Sequence, residues 1–351
     1  MKRVLTFVEA IREAIDQSMA KDKNIILFGL GVDDPKTIFG STKNLQKKYS
    51  EKRVFDVPTS ENALTGVGIG AAINGKRPIM VHQRLDFFLL AMDQVVNAAA
   101  KWYFMFGNQQ SVPITIRLIM GRGWGQGPTH SQNLQAWFAH IPGLKVVMPA
   151  TAADAKGLLI ASIQDNNPVI FMEHRWLHNV KGEVTKACKP IPLGKANILR
   201  KGNDITLVAM SYMVIEAIHA AEFLELHNIS CEIIDLRTVA PIDYETIYDS
   251  IGKTKKVIVL DTGTLDGSIS GEIVSKIVDK MWNTLELKPE RLAMPNFPES
   301  TSFALTKDYH VTSLNIVDKV SEMFQIEIHD KSSLKKDHPH DVPGDWFTGP
   351  F

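Results

Sequence analysis

The stretch VFDVPTSENALTGVGIGAAING, Val54 to Gly75, runs from a short strand through a turn at Pro58 into a helix. Its order predicts Ser60 as the N-cap, with a hydroxyl accepting from a free amide of the first turn. Glu61 falls in that first turn, where a carboxylate also suits the helix dipole. Beyond Glu61 the helix is uncharged and carries Leu64, Val67, Ile69 and Ile73, with glycines at 66, 68 and 70. A helix apolar on all sides is expected to be buried. One carboxylate therefore stands at the mouth of a buried helix, at a strand end, where open α/β sheets place their chemistry. Taken alone, Glu61 is either a capping carboxylate or a reacting group. His130 lies in the glycine-rich loop GRGWGQGPTHSQ, a setting that suits a side chain held at a site. The alternative is a histidine that caps a helix starting at Ser131.

The elements that must position these groups follow from periodicity. Leu5, Val8, Ile11, Ile15 and Met19 predict an amphipathic helix over 6–20, opened by a Thr6/Glu9 capping box. Strands are expected at 24–28, 54–57, 77–81, 112–120, 144–148 and 169–172. Helices are expected at 89–106, 131–140 and 151–165, the last with a Thr151/Asp154 capping box. The GVGIG glycines sit inside a helix, not in the turn before it, so close packing is expected rather than a dinucleotide fingerprint. After a linker the alternation resumes from residue 204 to a helix at 313–324. Alternating strands and helices argue an α/β fold with a mainly parallel sheet covered on both faces. The expected domains are 1–180 and 201–328, joined by a linker at 181–200 and followed by a tail at 329–351 that lacks periodicity.

Composition narrows the function classes. Lys+Arg and Asp+Glu are both 39 in 351 residues, without a basic stripe, so nucleic acid is an unexpected partner. No apolar run approaches the roughly 18 residues of a membrane helix. The start, MKRVLTFVEA, reaches Glu9 too soon for a signal peptide. Cys188 and Cys231 form neither a disulfide framework nor a metal-spaced pair and suit a reducing compartment. The expectation is the cytoplasm, or the mitochondrial matrix in a eukaryote.

PTSEN, DFFLLAMDQVVNAAAK, PTHSQ, AWFAHIPGLKVVMP and DAKGLL…DNNPV follow one another in an order that resembles a known family. The chain is similar, over roughly residues 4–325, to the beta subunit of the thiamine diphosphate-dependent decarboxylase component of 2-oxo acid dehydrogenases. The resemblance implies a doubly wound pyrimidine-binding domain followed by a transketolase-type C-terminal domain. It implies that Glu61 hydrogen-bonds the cofactor's pyrimidine nitrogen, with apolar neighbours favouring its protonated form. It also implies that Phe87 stacks on the aminopyrimidine and that Gln83 lines the same pocket. Without the resemblance, Phe87 and Phe88 would read as two core side chains. His130 would donate to the substrate carboxylate or to the oxygen that develops charge. The helix bearing Asp93, Gln94 and Asn97 resembles a subunit-contact helix; local hydrogen bonding is the alternative. A monovalent cation such as potassium is implied near Ser162, Asp165 and Asn167, largely on backbone oxygens.

Thiamine diphosphate enzymes hold diphosphate and magnesium with Gly-Asp-Gly, and the sequence has none; Gly344-Asp345 is followed by Trp346. The chain is therefore expected to supply half a site. An alpha chain would complete it with the diphosphate and magnesium in an alpha2beta2 assembly, and a lipoyl-bearing acyltransferase would receive the acyl group. Several features depart from the family: Arg84 beside the inferred pocket, Trp124 in the loop, the Glu173-His174-Arg175-Trp176 run, and NFPESTSFALTKDYH near the C-terminus. Arg84 either binds an anionic substrate or pairs with Asp86 or with an acid of the partner. These departures leave open a carboligase that transfers a two-carbon unit to a sugar or other carbonyl acceptor. A non-catalytic scaffold is the third alternative, and Glu61, Phe87 and His130 argue against it.

Overall fold

The computed structural model describes residues 2–123, 125–334 and 339–347. In chain order the elements are β1 (Lys2–Thr6), α1 (Phe7–Lys21), β2 (Ile25–Gly29), α2 (Leu45–Tyr49), β3 (Val54–Asp56), α3 (Glu61–Ile73), β4 (Arg77–His82), α4 (Leu85–Phe88), α5 (Ala100–Met105), β5 (Thr115–Met120), α6 (Gln135–Ala139), β6 (Lys145–Val147), α7 (Ala152–Gln164), β7 (Val169–His174) and β8 (Lys181–Thr185). There follow β9 (Asn197–Arg200), β10 (Ile205–Ala209), α8 (Met213–Glu225), β11 (Cys231–Asp235), β12 (Thr238–Ala240), α9 (Tyr244–Thr254), β13 (Val257–Thr264), α10 (Ile269–Met281), β14 (Glu290–Met294) and α11 (Ser313–Phe324). Two compact units result. The first takes residues 1–120, 137–193 and 239–241, and the second takes 121–136, 194–238 and 242–351.

The first unit is built on a sheet in the order β12-β6-β7-β5-β4-β2-β3. Each described pairing from β6 to β3 is parallel. Its central strands IILFG, TIRLIM and VIFMEH are buried almost throughout, as a sheet covered on both faces requires. Helix α1 opens on the expected capping box: the Glu9 amide donates to Thr6 Oγ1 at 3.2 Å, and the Thr6 amide donates to Glu9 Oε2 at 2.8 Å. The Asp154 amide donates likewise to Thr151 Oγ1, at 3.1 Å, at the head of α7. The expected close packing of α3 appears at Gly68, where a Cβ would lie 3.1 Å from both Ile114 Cδ1 and Phe28 Cζ. The second unit carries a sheet in the order β14-β13-β10-β11-β9, parallel except for the β9 edge.

Several expectations are corrected. Ser60 makes no side-chain cap bond, because its φ of −163° and ψ of 72° depart from the usual capping geometry. Helix α3 is not buried all round: Thr65, Gly68, Ile69 and Ala72 face inward while Val67 is 63% exposed. Its apolar character thus reflects two faces, one met by this chain and one left uncovered by it. The helix expected over 89–106 is interrupted, passing through a 3-10 turn at Leu89–Ala91 and a π-helical stretch at Gln94–Ala99 before α5. Asn97 there donates to Asp93 Oδ1 at 2.7 Å, so local hydrogen bonding is present. The expected strand over 112–120 begins at Thr115, and the expected helix over 131–140 spans only 135–139. Residues 181–185 and 197–200, read as linker, are strands; β8 pairs antiparallel with β1 and β9 with β11.

The tail is also more ordered than its composition implied. Arg122, fully buried, donates to Glu299 Oε1 and Asp341 Oδ2, both at 2.7 Å. His340 lies against the Phe303 ring with centroids 4.0 Å apart. Charge pairing with residues far back in the chain fixes this segment, and no periodicity reports such contacts.

Candidate active site

The sequence places Glu61 one turn after β3, and the parallel register brings that turn beside the ends of β2 and β4. The C-terminal edge of the sheet therefore opens into one pocket. Leu30, the turn 57–60, Glu61, Leu64, Met80, His82, Gln83, Arg84 and Phe87 bound it. Glu61 is half-buried, so this chain alone supplies only part of the desolvation expected around its carboxylate. The turn before it is anchored from below: Asp56 Oδ1 accepts from the Gly31 amide at 2.6 Å and from the Val32 amide at 3.3 Å. Gln83 Nε2 donates to Leu30 O at 3.0 Å, which holds the side chain against the pocket wall. Gly31 permits that approach: its φ is +80°, and a Cβ there would stand 2.3 Å from Gln83 Nε2.

The two phenylalanines separate. Phe88 is fully buried, with its ring centroid 4.6 Å from that of His82 and 6.2 Å from that of Phe138. Phe87 is 41% exposed and faces the pocket, so only Phe88 is the core side chain. The wall thus brings together a carboxylate, an aromatic face and the aliphatic side chains Leu30, Leu64 and Met80. Burial drives His82 down to about 3, so its imidazole is neutral at physiological pH.

A buried charge cluster lies behind this wall. Arg117 Nε and Nη2 grip Glu173 at 2.5 and 2.9 Å, and His178 Nε2 lies 3.4 Å from Glu173 Oε2. Burial opposes ionisation of Glu173, but Arg117 and His178 outweigh it and hold the carboxyl down at about 2. Burial lowers His178 to about 4. Arg84 and Arg175 are 4% and 2% exposed. Both are drawn down to about 10, chiefly by desolvation; the Arg84 charge further lowers Arg175, while Asp86 partly restores Arg84. The Phe39 ring centroid lies 4.3 Å from the Arg175 guanidinium. Sequence reasoning singled out Arg84 but gave Arg175 no role. The signal available was an arginine directly after a strand end.

His130 belongs to the second unit, whereas Glu61, Gln83, Arg84 and Phe87 belong to the first. Its Nδ1 is 3.1 Å from Thr129 Oγ1, and its amide donates to Gly127 O at 3.1 Å. Helix α6 starts at Gln135, so His130 does not cap it. Arg122 also donates to Gln126 O at 3.1 Å and to Ser300 O at 3.0 Å, which ties the His130 loop to the 299–300 segment. A cavity of about 360 Å³ lies next to the loop, between Ser131–Leu134 and the end of β13 with Asn296–Glu299. Trp124 lies outside the described residues.

At the expected cation loop, the carbonyls of Ile163 and Asp165 both accept from Arg77 Nη1, at 3.1 and 3.0 Å. Asp165 Oδ2 pairs with Lys145, Asp165 Oδ1 accepts from the Asn167 amide at 2.8 Å, and Ser162 Oγ donates to Leu158 O at 2.8 Å. The side chains are thus engaged within the chain, and the backbone oxygens are the groups that converge. No cluster of His, Cys, Asp and Glu suited to a metal occurs among the described residues. Among them no helix is long and apolar enough to cross a membrane.

Comparison with known proteins places this geometry. Residues 3–180 match the transketolase pyrimidine-binding domain, and residues 194–316 match the transketolase C-terminal domain. The acetoin:2,6-dichlorophenolindophenol oxidoreductase beta subunit of Cupriavidus necator is 39% identical, over 89% of this chain and 95% of that one. The 2-oxoisovalerate dehydrogenase beta subunit of Bacillus subtilis is 40% identical over 84% of this chain and 90% of its own length. The pyruvate dehydrogenase E1 component beta subunit of Rickettsia conorii is 37% identical over the same shares, 84% and 90%. A split-gene transketolase structure shares the fold, with a TM-score of 0.75 at 20% identity over 92% of this chain and 99% of that one. With both transketolase-type domains present and such identity along most of its length, the chain belongs to the family of beta subunits of 2-oxo acid dehydrogenase E1 components and their acetoin-oxidoreductase relatives.

Proposed function

We propose that this chain works as the beta subunit of a thiamine diphosphate-dependent 2-oxo acid decarboxylase, with Glu61 as the acid that activates the cofactor. The observation that carries the reading is the single pocket that groups Glu61, Gln83 and Phe87 at the C-terminal edge of the sheet. When bound, thiamine diphosphate supplies the electron sink for loss of carbon dioxide from the 2-oxo acid. The chain's own residues do the positioning. Phe87 offers a face for the aminopyrimidine, Gln83 fixes one edge, and Glu61 holds a proton at the ring nitrogen. His130 donates a proton or hydrogen bond to the substrate.

The half-open setting of Glu61 and the lack of Gly-Asp-Gly support a shared site. An alpha chain closes it and brings the diphosphate and magnesium ligands, in an alpha2beta2 assembly. A lipoyl-bearing acyltransferase then takes the acyl group. Kinship with the beta-subunit family is what supports a structural cation such as potassium beside Ser162, Asp165 and Asn167; the Ile163 and Asp165 carbonyls of this chain accept from the Arg77 guanidinium. A second reading, transfer of a two-carbon unit to a carbonyl acceptor, uses the same pocket and is favoured by one observation, Arg84 in its wall.

The test is Glu61→Gln in the assembled enzyme. Folding and assembly persist, while exchange of the thiazolium proton for deuterium slows by roughly 100-fold or more, as expected for a lost acid–base group. Exchange at the wild-type rate removes Glu61 from this role.

A further inference from the structure

Residues 339–347 lie beyond both transketolase-type domains, yet they bear on the loop that carries His130. Loop and tail belong to the same unit. Asp341 makes the contact: its Oδ2 accepts from Arg122 Nη2 at 2.7 Å, with the guanidinium wholly out of water. The other terminal nitrogen, Nη1, donates to Gln126 O at 3.1 Å, to Glu299 Oε1 at 2.7 Å and to Ser300 O at 3.0 Å. One guanidinium thus joins three segments, the loop, residues 299–300 and the tail. Because the group is planar and rigid, an acceptor that fixes Nη2 also fixes where Nη1 points.

Gln126 O passes that constraint to the histidine. The same carbonyl accepts from Ser131 Oγ at 3.2 Å, and the His130 amide donates to Gly127 O at 3.1 Å. His130 and its neighbour are therefore both bonded back to the 126–127 segment. Gly127 approaches Thr301 so closely that a Cβ there would stand 2.2 Å from Thr301 Oγ1. Between β5 and α6 the described residues form no helix or strand, so contacts of this kind, rather than a ladder, give the loop its shape. The tail has anchors of its own that keep Asp341 in reach. His340 Nε2 lies 2.9 Å from Phe303 O and 3.1 Å from Thr306 Oγ1, and the Val342 amide donates to Pro339 O at 3.0 Å, turning the chain at Asp341.

A side chain that gives a proton or hydrogen bond to a substrate must be held closely, since a misplacement of about 1 Å can cost roughly 100-fold in rate. Without Asp341, Nη2 would lose its acceptor in a site closed to water, and the guanidinium would have to turn or the loop to open. We propose that Asp341 is a positioning residue: through Arg122, the C-terminal tail latches the Gln126–Ser131 loop in the shape that presents His130 to the substrate. The proposal rests on His130 acting on the substrate, as in the function proposed above, and gives the tail a part in that reaction.

The experiment has two parts. Hydrogen exchange on the full chain reads the latch without turnover. Asp341→Ala should speed exchange of the amides in 126–132 by roughly 10- to 100-fold, the size of a lost charged hydrogen bond, while β10, β11 and β13 keep wild-type protection. Asp341→Asn keeps an acceptor oxygen without the charge and should fall between. Wild-type loop exchange in folded Asp341→Ala overturns the proposal; if that variant does not fold, wild-type loop exchange in Asp341→Asn overturns it. The second part is a double-mutant cycle with His130→Ala in the complex with the alpha chain, followed by decarboxylation of 2-oxobutyrate. Asp341→Ala should lower kcat by roughly tenfold or more and leave the affinity for thiamine diphosphate unchanged. In the His130→Ala background the same change should have little further effect, because its route runs through His130. Equal losses in both backgrounds overturn the positioning role and leave the proposed function standing. Fast loop exchange in Asp341→Ala, in a complex that decarboxylates no 2-oxo acid, supports the latch and overturns the function.

Discussion

The first unit backs its pocket with buried charge and leaves large apolar side chains open on its surface, while the second unit ties its loop down from several directions. Around Glu61, Arg84, Arg117, Glu173 and Arg175 are nearly solvent-free or line the pocket, yet Val67 and Leu90 stand 63% and 67% exposed. Phe104, on α5, is 84% exposed. In the second unit the loop bearing His130 is held by Arg122, which reaches Gln126, Glu299, Ser300 and Asp341. Asp261 adds a second anchor, accepting from Gln135 Nε2 at 2.6 Å and from the Gly263 amide at 2.9 Å. The difference teaches how a half-site is built. A unit that takes a partner keeps its pocket's polar groups in place by burying ion pairs and leaves apolar side chains uncovered elsewhere on its surface. A loop that presents a side chain is fixed by its own unit.

The largest effect expected from breaking this contrast is at Glu173. Glu173→Ala strands Arg117 in a site with no solvent access and should destabilise the first unit by about 3–5 kcal/mol. Denaturant melts of the full chain check this; a loss below about 1 kcal/mol would show that the pair does not hold the pocket wall.

Acid gives the next effect. His82 and His178 have folded values near 3 and 4, below the 6.5 of the unfolded chain. Their contribution is therefore complete above pH 6.5 and falls as pH drops towards those folded values, because only the unfolded chain takes up protons there. Glu173, held near 2 against 4.5, adds a loss in the same direction below pH 4.5. Hydrogen exchange between pH 7 and 5 should open the first unit before the second. Simultaneous opening would remove the asymmetry.

A smaller and more local effect is expected at Asp341. Asp341→Ala removes a charged hydrogen bond to Arg122, worth about 1.5–3 kcal/mol, and should free the tail for proteolysis while the sheet of the second unit stays intact. Unchanged cleavage of residues 339–347 would show that other contacts fix the tail. The smallest effect on the chain itself is expected on the exposed face of α3. Val67→Asp should change the stability of the isolated chain by no more than about 0.5 kcal/mol. If the alpha chain covers this face, the buried charge should weaken assembly by roughly tenfold or more. Assembly at wild-type strength would place the partner elsewhere.

Local chemistry made much of this legible in advance. The alternation of buried strands and helices, the Thr6/Glu9 box and the Thr151 cap depend on residues a few positions apart, and they form as their side chains dictate. The motif containing Glu61 likewise carried the family resemblance. Ser60 shows the limit of that reasoning, because a capping side chain gave no capping bond once the turn took its shape from the strand ends around it.

By itself, then, the sequence determined most of the strands and helices, where Glu61 falls on them, and that the diphosphate motif is missing; β8, β9 and the break in the 89–106 helix came only with the structure. Only the tertiary structure decided that Phe87 faces the pocket while Phe88 fills the core, and that Arg84 and Arg175 rise on either side of one strand. It also decided that Arg117 is neutralised by Glu173 and that Asp341 returns to Arg122. The physical reason is that periodicity assigns a residue to a face of its own element. Which distant residues share that face depends on strand order and register, and these are settled by packing the whole chain.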